Sequence, residues 1–103
     1  MNKIRVIIKR PDEEIGHVTN ISNSLGNLQK TVEGRIEVFT LVKDYALIIC
    51  NEEGKINDLP YNCTICGEQF FGTIIAVGVD DEEFADLPKE ITLKFWKEKV
   101  LRK

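Results

Sequence analysis

Two closely spaced cysteines are the residues of this 103-residue chain most suited to chemistry. The segment Cys63-Thr64-Ile65-Cys66-Gly67 can place two thiolates on one Zn²⁺, which takes four tetrahedral ligands in structural sites. The remaining soft ligands, Cys50 and His17, are distant in sequence. A zinc-stabilised module using Cys50, Cys63, Cys66 and His17 is therefore one hypothesis. The simpler interpretation is three reduced thiols and no cofactor, with Cys50 packed as a small apolar residue.

Other reactive side chains do not form a recognisable catalytic pattern. His17 is the single histidine, and no serine or cysteine near it offers a nucleophile paired with a base. The run Asp80–Glu83 contains four adjacent carboxylates, which point in different directions instead of toward one cation. Such a run is typical of a solvated helix start, because the helix dipole favours negative charge there. The sequence predicts a protein that is not an enzyme.

Charge is distributed unevenly around a net value of −3. Residues 44–88 carry ten acidic groups and one basic group, whereas residues 89–103 carry six basic and two acidic groups. The acidic middle repels phosphate and disfavours general nucleic-acid binding. The basic C-terminal end keeps a nucleic-acid-associated protein as an alternative.

Targeting signals are absent from the sequence pattern. No apolar run reaches the roughly 20 residues that a membrane-spanning helix requires. The N-terminal residues lack the apolar segment and cleavage site of a signal peptide. The three cysteines, an odd number, favour a reducing compartment over a disulfide framework. We expect a cytoplasmic protein without a membrane partner.

Alternation of apolar residues and β-branched runs predict the strands. They are Lys3–Lys9, Ile15–Thr19, Arg35–Leu41, Asp44–Cys50 and Phe70–Val79. The last two are apolar on both faces, which is typical of central strands. Leu47 and Ile75 are therefore expected in the core. The short link between Leu41 and Asp44 predicts a hairpin.

Helical spacing occurs twice. Apolar residues at i, i+4, i+7 and i+11 predict a helix from Ile21 to Val32, with Asn20 or Ser22 as its N-cap and Gly34 at its end. A second helix is predicted from Pro88 to Leu101. The fold class is α+β: one domain over residues 1–103, with a mixed, mainly antiparallel sheet of four or five strands. One helix follows the second strand and another ends the chain.

A polar cluster surrounds the least regular part of the sequence. Residues 55–69 show no period and predict a long surface loop between two apolar strands. Loops of this length are functional more often than ordinary connections, and binding residues favour loops held by a rigid scaffold. The candidate ligand- or partner-binding residues are Asn51, Glu52, Glu53, Lys55, Tyr61 and Asn62.

Several ordered blocks carry a resemblance to a known family. They include Val32-Glu33-Gly34, Ile36-Glu37-Val38, Asn51-Glu52-Glu53-Gly54-Lys55, Leu59-Pro60 and Gly72-Thr73. Over residues 4–79 the chain resembles a family of small domains of unknown function from Gram-positive bacteria, their phages, plasmids and conjugative elements. The resemblance implies an accessory protein of a mobile element, but no activity or cofactor. Family members usually have arginine where Cys63 stands, so the Cys-x-x-Cys motif is particular to this chain.

These observations predict a non-enzymatic binding or accessory module of a mobile element of phage or plasmid type. It would engage a host protein or a small ligand through the 51–71 loop region. The alternatives are the zinc-stabilised module and a nucleic-acid-associated or DNA-mimicking protein.

Overall fold

Antiparallel strands account for most of the structure, a computed structural model that describes residues 2–101. The strands are β1 (Lys3–Lys9), β2 (His17–Ser22), β3 (Ile36–Val42), β4 (Ala46–Asn51), β5 (Tyr61–Ile65), β6 (Glu68–Phe71), β7 (Ile74–Asp80) and β8 (Glu83–Ala85). Helix α1 (Leu25–Val32) lies between β2 and β3. Helix α2 (Leu93–Phe95) continues directly into one π-helical turn, Trp96–Val100. None of the described helices is long and apolar enough to span a membrane.

The main sheet has the strand order β2-β1-β7-β4-β3, and β8 pairs with the end of β7. Strands β5 and β6 form a separate two-stranded sheet. Every pair in these sheets is antiparallel. The predicted α+β class with a mainly antiparallel sheet is confirmed. The predicted sheet of four or five strands is too small, because the main sheet has six strands and residues 2–101 contain eight in two sheets.

Both faces of the main sheet are apolar and covered at its central strands, β1, β7 and β4. On one face, a core that includes Ile7, Ile48 and Ile74 packs against the β5–β6 hairpin and Trp96 of the C-terminal helical turn. On the other face, residues such as Val6, Ile49 and Ile75 pack against α1 through Leu28 and Val32. Ile74 to Val77 of β7 are buried without interruption, since β7 has a neighbour on each side and cover on each face. The predicted central position of the two most apolar strands follows from this double burial.

The predicted loop over residues 55–69 is wrong, because its second half folds into the β5–β6 hairpin. Cys66 and Gly67 have φ values of 52° and 81° and connect the paired residues Ile65 and Glu68. Two positive φ values in a two-residue connection give the turn that matches the natural twist of a hairpin. The predicted strand Phe70–Val79 is likewise divided into β6 and β7, because Gly72 has a φ of 84°.

The sequence predicts a helix start at the acidic run Asp80–Glu83, but this run connects two strands. Asp80 pairs with Glu83 across a turn in which Asp81 has a φ of 58°. The chain then passes Gly78 so closely that a Cβ there would overlap the carbonyl oxygen of Asp86. Leu87 N–H next donates to the carbonyl of Arg5 at 2.8 Å. Residues 85–87 therefore fill the space between the diverging ends of β1 and β7.

The helices are shorter than their apolar spacing predicts. Ile21 belongs to β2, and α1 begins after Ser24, whose hydroxyl accepts a bond from the Asn27 N–H at 3.2 Å. Glu33, with a φ of 65°, ends α1 one residue before the predicted Gly34. Thr92 caps the second helix, several residues after Pro88. Local capping bonds, which satisfy unpaired backbone N–H groups, set these starts.

The two predicted core residues differ in burial. Ile75 is fully buried, whereas Leu47 is partly buried at the border of the α1-covered face. We expect Ile75→Ala to cost about 2–5 kcal/mol of unfolding free energy. Leu47→Ala should cost less, about 1–2 kcal/mol, because less apolar area leaves water on folding. Equilibrium urea unfolding measures both. A larger loss for Leu47→Ala than for Ile75→Ala would contradict the burial on which this prediction depends.

Candidate functional site

A groove of about 470 Å³ lies within the region predicted to bind a partner. One wall is the turn after β4, and the other is β6 with the hairpin tip. Cys50 and Phe70 lie between these walls and form the floor of the groove. Charged and polar side chains border the groove: Glu37, Glu52, Lys55, Glu68 and Gln69. We call this space the β6 groove.

Close backbone packing holds the two walls together. A Cβ at Gly54 would lie 2.6 Å from the carbonyl oxygen of Phe71, so glycine lets the turn rest directly on the end of β6. The turn itself is closed by the Leu59 N–H, which donates to the Gly54 carbonyl at 2.9 Å. Residues 53–59 are therefore a compact turn and not an extended loop.

Asn51, a predicted binding residue, is buried and holds the end of α1. Its Nδ2 donates to the carbonyl oxygens of Val32 and Glu33, at 3.0 and 3.1 Å. Its Oδ1 accepts from the Glu53 N–H at 2.7 Å. Gly34 leaves the space for this amide, since a Cβ there would lie 2.5 Å from Nδ2. Asn51 thus joins α1 to the turn that forms one wall of the groove.

Asn62, a second predicted binding residue, is also buried and holds the hairpin in place. Its Nδ2 donates to the carbonyl oxygens of Lys9 and Gly72, both at 2.8 Å. Its Oδ1 accepts from Lys9 Nζ, also at 2.8 Å. Lys9 is 4% exposed, so its ammonium group depends on this amide oxygen. The side chain fixes β5 to the end of β1 and to the link between β6 and β7.

The other four predicted residues lie at the surface. Glu52 forms an ion pair with Arg35, Oε1 to Nε at 3.2 Å, between two exposed side chains. Lys55 borders the β6 groove, and Glu53 is exposed beside it. Tyr61 borders a different groove of about 510 Å³, on the side of the hairpin near Arg10 and Pro60. The β6 groove therefore receives side chains from Glu52 and Lys55, but not from Tyr61.

Carboxylates dominate the electrostatics of the β6 groove. Burial, followed by the nearby charges of Glu37 and Glu68, raises the pKa of the Cys50 thiol to about 11. The thiol Sγ donates to the Glu37 carbonyl at 3.7 Å. Burial also raises the pKa of Cys63, against a smaller lowering effect of Lys9. Both thiols are therefore protonated at neutral pH, and the floor of the groove lies in a negative field.

Glu37, Glu68 and Gln69 were missed by the sequence prediction. Glu37 lies directly opposite Cys50, and its only signal in the sequence was the predicted hairpin, which places β3 beside β4 without defining their register. Glu68 and Gln69 carried no such signal in the sequence, because they belong to β6, for which the sequence predicts a loop. Their position at the groove depends on the turn at Cys66 and Gly67.

The four residues of the zinc hypothesis lie in different environments. Cys50 is buried, Cys63 is partly buried, and Cys66 is exposed at the tip of the hairpin. His17 Nδ1 lies 2.8 Å from Glu13 Oε2. Within residues 2–101, no three side chains of the types His, Cys, Asp and Glu form a group that could hold a metal ion.

Comparison with known proteins gives a family but no characterised relative. The sequence profile of DUF3846, a domain of unknown function, matches residues 4–100. This span includes the C-terminal helix, which lies outside the resemblance over residues 4–79. No curated protein and no solved structure matches the chain at a significant level.

The buried amide of Asn62 generates a stability prediction. Asn62→Ala removes the acceptor of the Lys9 ammonium and the donor of two carbonyls, so we expect a loss of at least about 2 kcal/mol. Asn57→Ala, at an exposed asparagine in the neighbouring turn, is the matched control and should change stability by less than about 0.5 kcal/mol. Urea unfolding measures both variants. Equal losses would show that the Lys9–Asn62 bonds do not hold the hairpin.

Metal dependence provides a second test. We expect a chelator to leave the far-UV dichroism and the Tm of the protein unchanged, because Cys50 is buried, Cys66 is exposed and the candidate ligands do not form a group within residues 2–101. Differential scanning calorimetry with and without EDTA, together with the zinc content of the purified protein, measures this. A stoichiometric zinc content with a large fall in Tm on chelation would favour the zinc-stabilised module, because structural zinc contributes to folding.

Proposed function

This chain belongs to the DUF3846 family, and we propose that it is a non-enzymatic binding module. It would engage a protein partner through the β6 groove. The observation that carries the proposal is the groove itself, with carboxylates on opposite walls and an apolar floor between them. Function in such domains resides in the site and not in the fold. The proposal therefore depends on these side chains.

The walls of the groove are held by the sheet. The turn is fixed to α1 through Asn51, and the hairpin is fixed to β1 through Asn62. A groove with fixed walls loses little conformational entropy when a partner binds, which favours affinity. This support is the feature expected of a binding surface on a scaffold.

Charge indicates the class of partner. Glu37, Glu52 and Glu68 border the groove, against one ammonium group, that of Lys55. Burial and then the charges of Glu37 and Glu68 raise the pKa of the Cys50 thiol, so both carboxylates lie near the same part of the floor. A basic protein surface is complementary to this field, and such complementarity increases the rate and specificity of association.

The Cys50 thiol and the Lys9 ammonium, two potentially reactive groups of this region, are poorly suited to catalysis. A thiol whose pKa is about 11, like that of Cys50, is a poor nucleophile at neutral pH because the thiolate is the reactive form. The Lys9 ammonium is buried and bonded to Asn62, where it is held away from a substrate. These properties support a binding role for the region.

The biological setting is part of the proposal. The resemblance to domains of phages, plasmids and conjugative elements supports an accessory role in a mobile element, acting in the host cytoplasm. The zinc-stabilised module and the nucleic-acid-associated or DNA-mimicking protein are separate hypotheses. Zinc content distinguishes the first from groove binding, and a salt-dependent shift of DNA distinguishes the second.

Affinity capture with matched charge variants tests the proposed function. The groove variant is Glu37→Gln/Glu68→Gln, and the control is Glu82→Gln/Glu83→Gln, at two exposed residues where the turn after β7 leads into β8. Both remove two negative charges, so a general effect of net charge is equal in the two. From the lysate of a Gram-positive host, we expect the wild type and the control to retain the same protein. The groove variant should retain at least about tenfold less, since complementary charges at an interface are lost.

Two results would contradict the proposed function. Equal retention by all three proteins would place the binding surface outside the β6 groove. Retention of no specific protein by the wild type would reject a host-protein partner and favour a small ligand. Quantitative mass spectrometry of the retained proteins distinguishes these results.

A further inference from the structure

Strand β6 has one paired edge and one unpaired edge. It belongs to a two-stranded sheet, so its pairing is with β5 alone among the described strands. Ile65 and Glu68 close the two-residue turn, and Thr64 faces Gln69 as the next pair. In such a hairpin the closing pair is hydrogen-bonded and the next pair is not. The backbone N–H and C=O of Gln69 therefore point away from β5.

The unpaired edge faces the β6 groove. Gln69 and both its neighbours in β6 border the groove, opposite Glu37 and Cys50. No backbone bond across the groove joins Gln69 to the turn or to β4 in the part of the chain that the structure describes. Exposed strand edges of this kind are templates for another strand, because their donors and acceptors have no partner except water.

We propose that β6 binds an extended basic segment of the partner protein as an added strand. This inference rests on the proposed function and specifies how the partner is held. Main-chain bonds to Gln69 supply affinity, and alternate side chains of the added strand point to the groove floor. Lysine and arginine fit these positions, because their aliphatic stems contact Phe70 while their charged ends reach Glu37 and Glu68.

Self-association through the strand edges is disfavoured by charge. By strand pairing, the strands with an open edge in the described residues are β2, β3, β5, β6 and β8, and none of them contains lysine or arginine. Strands β3, β6 and β8 carry glutamate, so pairing any of them with β6 would bring like charges together. Like charges in directly opposite positions destabilise strand pairs. Among the described strands, a second copy therefore offers no basic strand with an open edge, since the basic strand β1 is paired on both sides.

A proline substitution at the edge tests the added strand. Gln69→Pro removes the outward N–H and places a ring in its position, while the bonds between β5 and β6 remain, since proline is tolerated on strand edges that face solvent. Gln69→Ala removes the side chain but retains the N–H, and it is the matched control. Far-UV dichroism and thermal melting establish that both variants are folded.

The probe is an acetylated, amidated decapeptide of alternating lysine and threonine, with two modified forms. One form carries a methyl group on the backbone nitrogen of each threonine, and the other on the backbone nitrogen of each lysine. Each form therefore lacks the N–H groups along one edge of the extended peptide, and its charge is unchanged. Isothermal titration calorimetry measures the Kd at low salt. We expect Gln69→Ala to bind within about twofold of the wild type, and Gln69→Pro to bind at least about tenfold more weakly. One of the two methylated peptides should lose binding to the same extent.

The outcomes separate this inference from the proposed function. If Gln69→Pro and both methylated peptides bind like their unmodified counterparts, the added strand is rejected. If Glu37→Gln/Glu68→Gln still weakens binding in that case, the groove stands as a charged binding surface. If this charge variant also binds normally, the proposed function fails as well. Absence of peptide binding, with a dimer in analytical ultracentrifugation that Gln69→Pro dissociates, would assign the edge to a second copy and overturn the inference.

Discussion

The main sheet is apolar on both faces, and the rest of the structure is arranged to cover it. Strand β7 is buried on each side, and β1 and β4 contribute apolar residues to both cores. The covering elements are short: a two-turn helix, a small hairpin and one helical turn at the C-terminus. Isolated helices and hairpins of this length are marginally stable in water. Their stability must therefore come from bonds and packing against the sheet.

Two buried asparagines connect the covering elements to the sheet. Asn51 binds the end of α1, and Asn62 binds the end of β1. An amide side chain suits this task because it donates and accepts at once, and thereby satisfies backbone groups that burial would otherwise leave without partners. The structural roles of Asn51 and Asn62 explain why the region around residues 51–62 contains more polar residues than a turn requires. Of that polar cluster, these two support the groove walls, and Glu52 and Lys55 border the groove.

The β6 groove is a consequence of this construction. The hairpin covers one face of the sheet but does not join it, so the edge of β6 lies beside β4 without a ladder between them. The glutamates at this edge have two effects. They oppose pairing with acidic strands of another copy, which limits aggregation through an open edge. They also create a field that suits a basic segment. The cover of the sheet, the open edge of β6 and the glutamates together form the surface on which the proposed recognition depends.

The sequence by itself determined the α+β class, the first strand, the β3–β4 hairpin and the central position of β4 and β7, because each depends on local period or on a long apolar run. It did not determine the β5–β6 hairpin, since Cys66 is an uncommon residue for a left-handed turn position. It also did not determine the roles of Asn51 and Asn62. A polar side chain beside a turn has the same pattern whether it binds a ligand or a distant carbonyl, and Asn62 bonds to Lys9 across 53 positions of sequence. Only the tertiary structure brings such partners together and decides which polar residues are buried.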